Sequence, residues 1–150
     1  AEQAPKPLNR TKDECSHADP ASAESWVRFF DETARYAMIG TVHTVLAQTA
    51  DRKHTRFAIP ALGKAIEAYG DDMARSKTFS MSALATNHLV EGDVDHGARI
   101  GRNAVDLAEH IKSKRTRDRM RPLRIEADKR ANNSDARDLS ELVTRFVTSS

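Results

Sequence analysis

Six histidines, one cysteine and 22 carboxylates make up much of the chain's reactive chemistry, and their spacing decides what they can do. A metal site on one helix needs imidazoles a turn apart, as in His-x-x-x-His, or a cysteine pair. Neither spacing occurs. His43, His54, His88 and His96 are scattered, and Asp93, Asp95 and His96 fall together only at a turn. The expectation is half-buried imidazoles packed between helices, with no metal and no cofactor. Such rings would loosen their hairpins as pH falls through about 6.5, where an unperturbed imidazole gains its proton. Nucleophilic catalysis has no frame either. Ser76, Ser80 and Ser82 precede His88, but no strained Gly-x-Ser-x-Gly turn or orienting arrangement accompanies them. Asp71-Asp72 and Asp93-x-Asp95 read as caps that favour the positive ends of helix dipoles. No catalytic residue is assigned and the chain is not expected to be an enzyme.

Charge is concentrated rather than large. Residues 112–130 carry nine Lys/Arg against Asp118, Glu126 and Asp128, a net +6, which leaves −4 for the rest of a chain of formal charge +2. Lys112, Lys114, Arg115, Arg117, Arg119, Arg121 and Arg124 could neutralise phosphates, with an affinity that falls steeply with salt. No aromatic is interleaved to stack on bases, and a charged outer helix face is more often solvated. Nucleic-acid binding through residues 112–124 is thus the alternative reading, and an acidic protein surface is an equal counterpart.

These groups must be held by helices. Ala and Leu are frequent, β-branched runs are few, and only 5% of residues are aromatic, which favours an all-α fold over sheets. Residues 1–18 lack apolar periodicity and read as a flexible leader or linker, leaving 19–150 as one helical domain. Asp19-Pro20 starts a short opening helix to about Phe30 that carries the aromatic cluster Trp26, Phe29 and Phe30. Asp31 reads as the cap of a second helix bearing Ala34, Ala37, Met38, Thr41, Val42, Val45 and Leu46. A third carries Phe57, Ala58, Ala61, Leu62, Ala65, Ile66 and Tyr69, with Pro60 placed in its first turn, where amides are unpaired anyway. Met81, Leu84, Ala85, His88 and Leu89 share a face of the fourth. The fifth, from about Asp93, has two apolar stripes and so touches neighbours on both sides. A basic helix follows Ser113 and is kinked or restarted by Pro122. Beyond a turn at Asn132-Asn133-Ser134, a last helix carries Leu139, Leu142, Val143 and Phe146. The chain is expected to be cytoplasmic and free of membranes: Cys15 stands alone, and no apolar run approaches the roughly 20 residues of a membrane span. Its start at Ala1 reads as that of a processed or excised piece.

Small residues recur. Ala58 and Ala65 are followed 39 residues later by Gly97 and Ala104, while Gly40 and Ala85 occupy matching places in the preceding helices, which makes His43 and His88 equivalents. This pattern resembles the tetratricopeptide repeat (TPR), whose helices approach closely at small side chains. The resemblance implies TPR-like antiparallel hairpins stacked as a short right-handed solenoid with a C-terminal capping helix. Gly40 to Ala58 spans 18 residues and Ala85 to Gly97 spans 12, so the first turn carries about six extra residues around Gln48 to His54.

The order WVRFFDE, IG, AIPALGKAIEAY, LATNHLVEGDVDHGARIGRNAVDLA and IKSKRTRDRMRPLR resembles the C-terminal tetratricopeptide region of actinobacterial helix-turn-helix (XRE-type) transcription regulators. It covers Trp26 to Phe146. The resemblance implies a protein-interaction module that senses a ligand or peptide or dimerises, as part of transcription regulation; no helix-turn-helix precedes residue 26, so DNA binding does not carry over. By the repeat register, Ala37, Thr41, Thr44, Phe79, Ser82 and Thr86 face the concave surface, where small polar residues leave room for a partner and Phe79 offers an anchor. A neighbouring helix of the same chain could equally fill that groove. A protein or peptide is the expected partner, a second copy included.

Overall fold

At Gly92 the backbone turns left-handed, with φ at 105°, a conformation that glycine adopts without steric penalty. The amide of Gly92 donates to the carbonyl of His88, 3.1 Å away, and the amide of Asp93 to the same oxygen at 2.9 Å, which closes the helix carbonyls and reverses the chain. This turn belongs to a computed structural model that describes residues 20–111 and 113–149. The leader expected at 1–18, Cys15 and Lys112 lie outside the described residues. Among the described residues the fold is all-helical, with no strand: α1 (Pro20–Thr49), α2 (Thr55–Ala68), α3 (Ala74–Glu91), α4 (Val94–Ala108), α5 (Lys114–Arg119), α6 (Arg121–Asp128) and α7 (Ser134–Thr148). Two single-turn 3-10 helices, Arg52–His54 and Asp71–Met73, lie before α2 and α3. None of these helices is long and apolar enough to cross a membrane.

The chain divides into two compact units, Ala1–Arg35 and Tyr36–Ser150. In the first, Trp26 and Phe29 both lie against Phe30, with ring centroids 4.9 and 5.5 Å apart, and each of the three rings is half-buried. The sequence reading placed a helix boundary at Asp31. Instead α1 runs through it, because no glycine or proline stops the turn and the following Ala, Arg and Met favour helix.

In the second unit α3 is the hub: α2, α4, α5 and α6 all pack against it, and α7 joins α4 to α6. A helix with neighbours on every side is usually apolar all round. Here it buries Thr78, Ser80, Ser82, Thr86, Asn87 and His88 beside Ala85 and Leu89. Thr78 and Thr86 satisfy their hydroxyls by donating to the carbonyls of Ala74 and Ser82, at 2.8 and 2.9 Å, so burial leaves them without an orphaned donor. Asn87 donates to Thr44 Oγ1 at 2.7 Å and to the Ala83 carbonyl at 2.8 Å, which ties α3 to α1.

Close approach is made by the small residues. Gly40 lies under Leu62, where an added Cβ would stand 2.4 Å from Leu62 Cγ; at Gly97 it would stand 3.0 Å from the Ala85 carbonyl oxygen. Ala58, Ala65, Ala85 and Ala104 are fully buried. The main core joins Ala85, Leu89, Ala98, Ala104, Val105 and Ala108 to Met120, Leu123, Ala127, Leu139 and Val143. At the far end Asn133 caps α7 by accepting from the Ala136 amide at 3.0 Å, as its turn position predicts. Pro122 sits at the start of α6 and separates it from α5. Pro60 departs from expectation. It is the sixth residue of α2 rather than in its first turn, so one carbonyl of the preceding turn loses its amide partner.

Candidate partner-binding pocket

Five of the six residues assigned to the concave surface converge. Thr41, Thr44, Phe79, Ser82 and Thr86, with Val45, Gln48, Ala83, Arg119 and Pro122, line a pocket of about 90 Å³. Ala37 does not line it. Its carbonyl accepts the Thr41 hydroxyl at 2.8 Å. Thr44 and Thr86 likewise donate to the carbonyls of Gly40 and Ser82, at 2.6 and 2.9 Å. With these hydroxyl protons engaged by backbone, the walls offer methyls, Val45, Ala83 and Pro122 to an occupant. Such a space matches one aliphatic side chain, not a drug-sized ligand.

The surface that the repeat register leaves open is narrowed by the following helices of the same chain. Arg119 lays its guanidinium 4.7 Å from the centroid of the Phe79 ring, a geometry in which the ring's negative face attracts the cation. Beside Pro122, Gln48 Nε2 donates to Glu126 Oε2 at 2.9 Å. What stays open is a stripe on α1: Met38, Val42 and Val45 are 65%, 50% and 52% exposed, one helical turn apart and ending at the pocket. The helical spacing placed these three on a packing face, and the structure leaves that face uncovered among the described residues.

Glu126 anchors the pocket residue Gln48 from outside the pocket. Burial works against its charge, but hydrogen bonds from Gln48, Lys129 and Arg130 outweigh that and hold its carboxyl below the ordinary value of 4.5. Lys129 Nζ and Arg130 Nη1 lie 3.2 and 3.0 Å from its two oxygens. A carboxyl whose pKa is depressed by folding adds stability above its unfolded pKa and loses it as pH falls through the folded one. Urea unfolding at pH 7 and pH 3.5 should therefore show an acid loss that Glu126→Gln reduces. At pH 7 the same change should cost about 1–2 kcal/mol, since Lys129 is largely exposed; equal acid sensitivity in both proteins would contradict the assignment.

The basic residues disperse. Arg119 stacks on Phe79, Arg121 and Arg124 lie 3.6 and 3.9 Å from Asp118 and Asp128, and Lys114 and Arg115 project outward. Arg117 enters a second cavity of about 310 Å³ with Glu109, Ile111, Leu142, Arg145, Phe146 and Ser149. Sequence reasoning missed this cavity. Its residues come from α5, α7, the loop before α5 and the residue just beyond α7, with no shared periodicity.

The histidines pair across their own turns. His43 and His54 approach through Nδ1 atoms 2.9 Å apart, with Phe57 against His43 at 5.1 Å. His88 and His96 have ring centroids 4.3 Å apart, and His88 is buried. Asp93, read as a cap, makes no side-chain capping bond; its carboxylate lies 3.4 Å from His96 Nδ1. No family model, curated protein or solved structure matches the chain.

Proposed function

We propose that the chain is a non-enzymatic interaction module that binds an apolar segment of a protein or peptide, its hairpins belonging to a TPR-like solenoid. Its place would be the sensing or dimerisation half of a transcription regulator. The supporting observation is the 90 Å³ methyl-lined pocket at the end of the exposed Met38, Val42 and Val45 stripe. An amphipathic helix laid on α1 would cover the stripe and place one aliphatic residue in the pocket. Arg119 at the rim favours acidic residues beside that anchor. The regulator assignment rests on the resemblance of the Trp26 to Phe146 segment order.

Random twelve-residue peptides displayed against the immobilised chain test this. Enriched peptides should carry an aliphatic anchor flanked by Asp or Glu and bind in the micromolar range. Val45→Asp and Met38→Asp, both surface changes that leave folding intact, should each weaken binding about tenfold, because a charge cannot be desolvated there without a partner. Absence of enrichment, in a chain that also remains monomeric by sedimentation at high concentration, would sink the reading. Duplex DNA binding that is steep in salt and lost on Arg115→Ala plus Arg119→Ala would replace it with the nucleic-acid alternative.

A further inference from the structure

We infer that the α3–α4 turn is a site for a borderline divalent cation of the zinc type, held by His88, Asp93 and His96. One ligand atom from each lies within 4.8 Å of the other two. They come from the last turn of α3, the turn itself and the first turn of α4. The left-handed Gly92 brings them together. Two imidazoles and a carboxylate form the donor set that zinc takes in sites with three protein ligands and an open fourth position.

The surroundings suit that role. His88 Nδ1 faces Glu91 Oε1 at 3.2 Å, which fixes the ring and leaves its other nitrogen for the metal. A carboxylate behind a ligating imidazole both orients it and raises its basicity. His88 is buried and fixed in place, whereas the side chains of His96 and Asp93 are 45% and 53% exposed and can turn inward. Bonds of 2.0–2.2 Å in a tetrahedral sphere require donors about 3.4 Å apart, so closure asks for about 1 Å of movement by the two exposed ligands. Asp93 and Glu91 bring two carboxylates to the turn, and a dication would balance them. The only other histidine pair brought together among the described residues, His43 and His54, has no carboxylate among its ring partners.

Calorimetric titration of the whole chain with zinc chloride at pH 7.5 tests the site. The expected result is one equivalent bound with a micromolar Kd. His96→Ala and Asp93→Asn should each weaken it at least about tenfold, and Glu91→Gln by roughly tenfold, while His54→Ala leaves it unchanged. Both ligand changes are at exposed positions, and circular dichroism would verify that helix content is retained. Cobalt in place of zinc should give visible absorption that His96→Ala removes. No stoichiometric uptake, uptake that survives both His96→Ala and Asp93→Asn, or uptake lost on His54→Ala would overturn the inference.

Discussion

Gly40→Ala should destabilise the chain by about 2 kcal/mol although alanine is the better helix former. The gain in helix propensity is about 1 kcal/mol. Against it, the new methyl would lie 2.4 Å from Leu62 Cγ and 2.5 Å from Cδ2. Leu62 is fully buried, so neither atom can swing away. Forcing extra methylenes into a filled interface costs about 1–3 kcal/mol or more, and the helices must separate to admit this one. Leu62→Ala alone should cost about 2–5 kcal/mol, from lost burial and the cavity it leaves. In that background the Gly40 methyl enters vacated space, and Gly40→Ala should become neutral or stabilising. Chemical denaturation of the four proteins gives the coupling directly, expected at about 1–3 kcal/mol. Strict additivity would show that α1 and α2 do not meet at this point.

A larger loss is expected for Ala104→Trp, at least about 3 kcal/mol. Ala104 is fully buried within the core cluster where α4 faces its neighbours. An indole there must either displace a helix or leave its N–H without an acceptor, and each is a recognised route to severe destabilisation. The control is one residue away. Asn103 is exposed on the same helix, so Asn103→Trp should change stability by no more than about 0.5 kcal/mol. Similar melting temperatures for the two variants would show that the buried face of α4 has been misassigned.

Much of this interior was legible because close helix contact has few chemical solutions. Only Gly or Ala fits where backbones approach, so Gly40, Ala58, Ala65, Ala85, Gly97 and Ala104 mark the contacts in the sequence itself. The turn at Asn132-Asn133-Ser134 and the break at Pro122 were legible for similar reasons, since turn chemistry and the missing amide act within a few residues. Local signals failed where something distant decided the outcome. Asp31 has a capping side chain, yet an uninterrupted run of helix formers carries α1 past it. Met38, Val42 and Val45 have the spacing of a buried face, but spacing does not say whether anything covers that face.

The pairing of the histidines is not legible in their spacing, for a geometric reason. Ligand motifs are sought on one helix, four residues apart, whereas His88 and His96 meet by lying on opposite sides of a reversal. The pattern His-x-x-Glu-x-Asp-x-x-His around Gly92 holds the signal, and it becomes readable once the turn is located. The pocket shows the converse. Thr41, Thr44, Phe79, Ser82 and Thr86 were identified from repeat register, but the lid supplied by Arg119 and Pro122 depended on where a broken basic segment would fold back.

The hub helix α3 buries four hydroxyl residues, Thr78, Ser80, Ser82 and Thr86, beside its aliphatic ones. A segment so composed remains compatible with water whenever its neighbours move aside, because Thr78 and Thr86 keep their bonds to their own turn. Water reaching that side of the helix would therefore strand no hydroxyl donor, and its wetting costs only the apolar contacts made there.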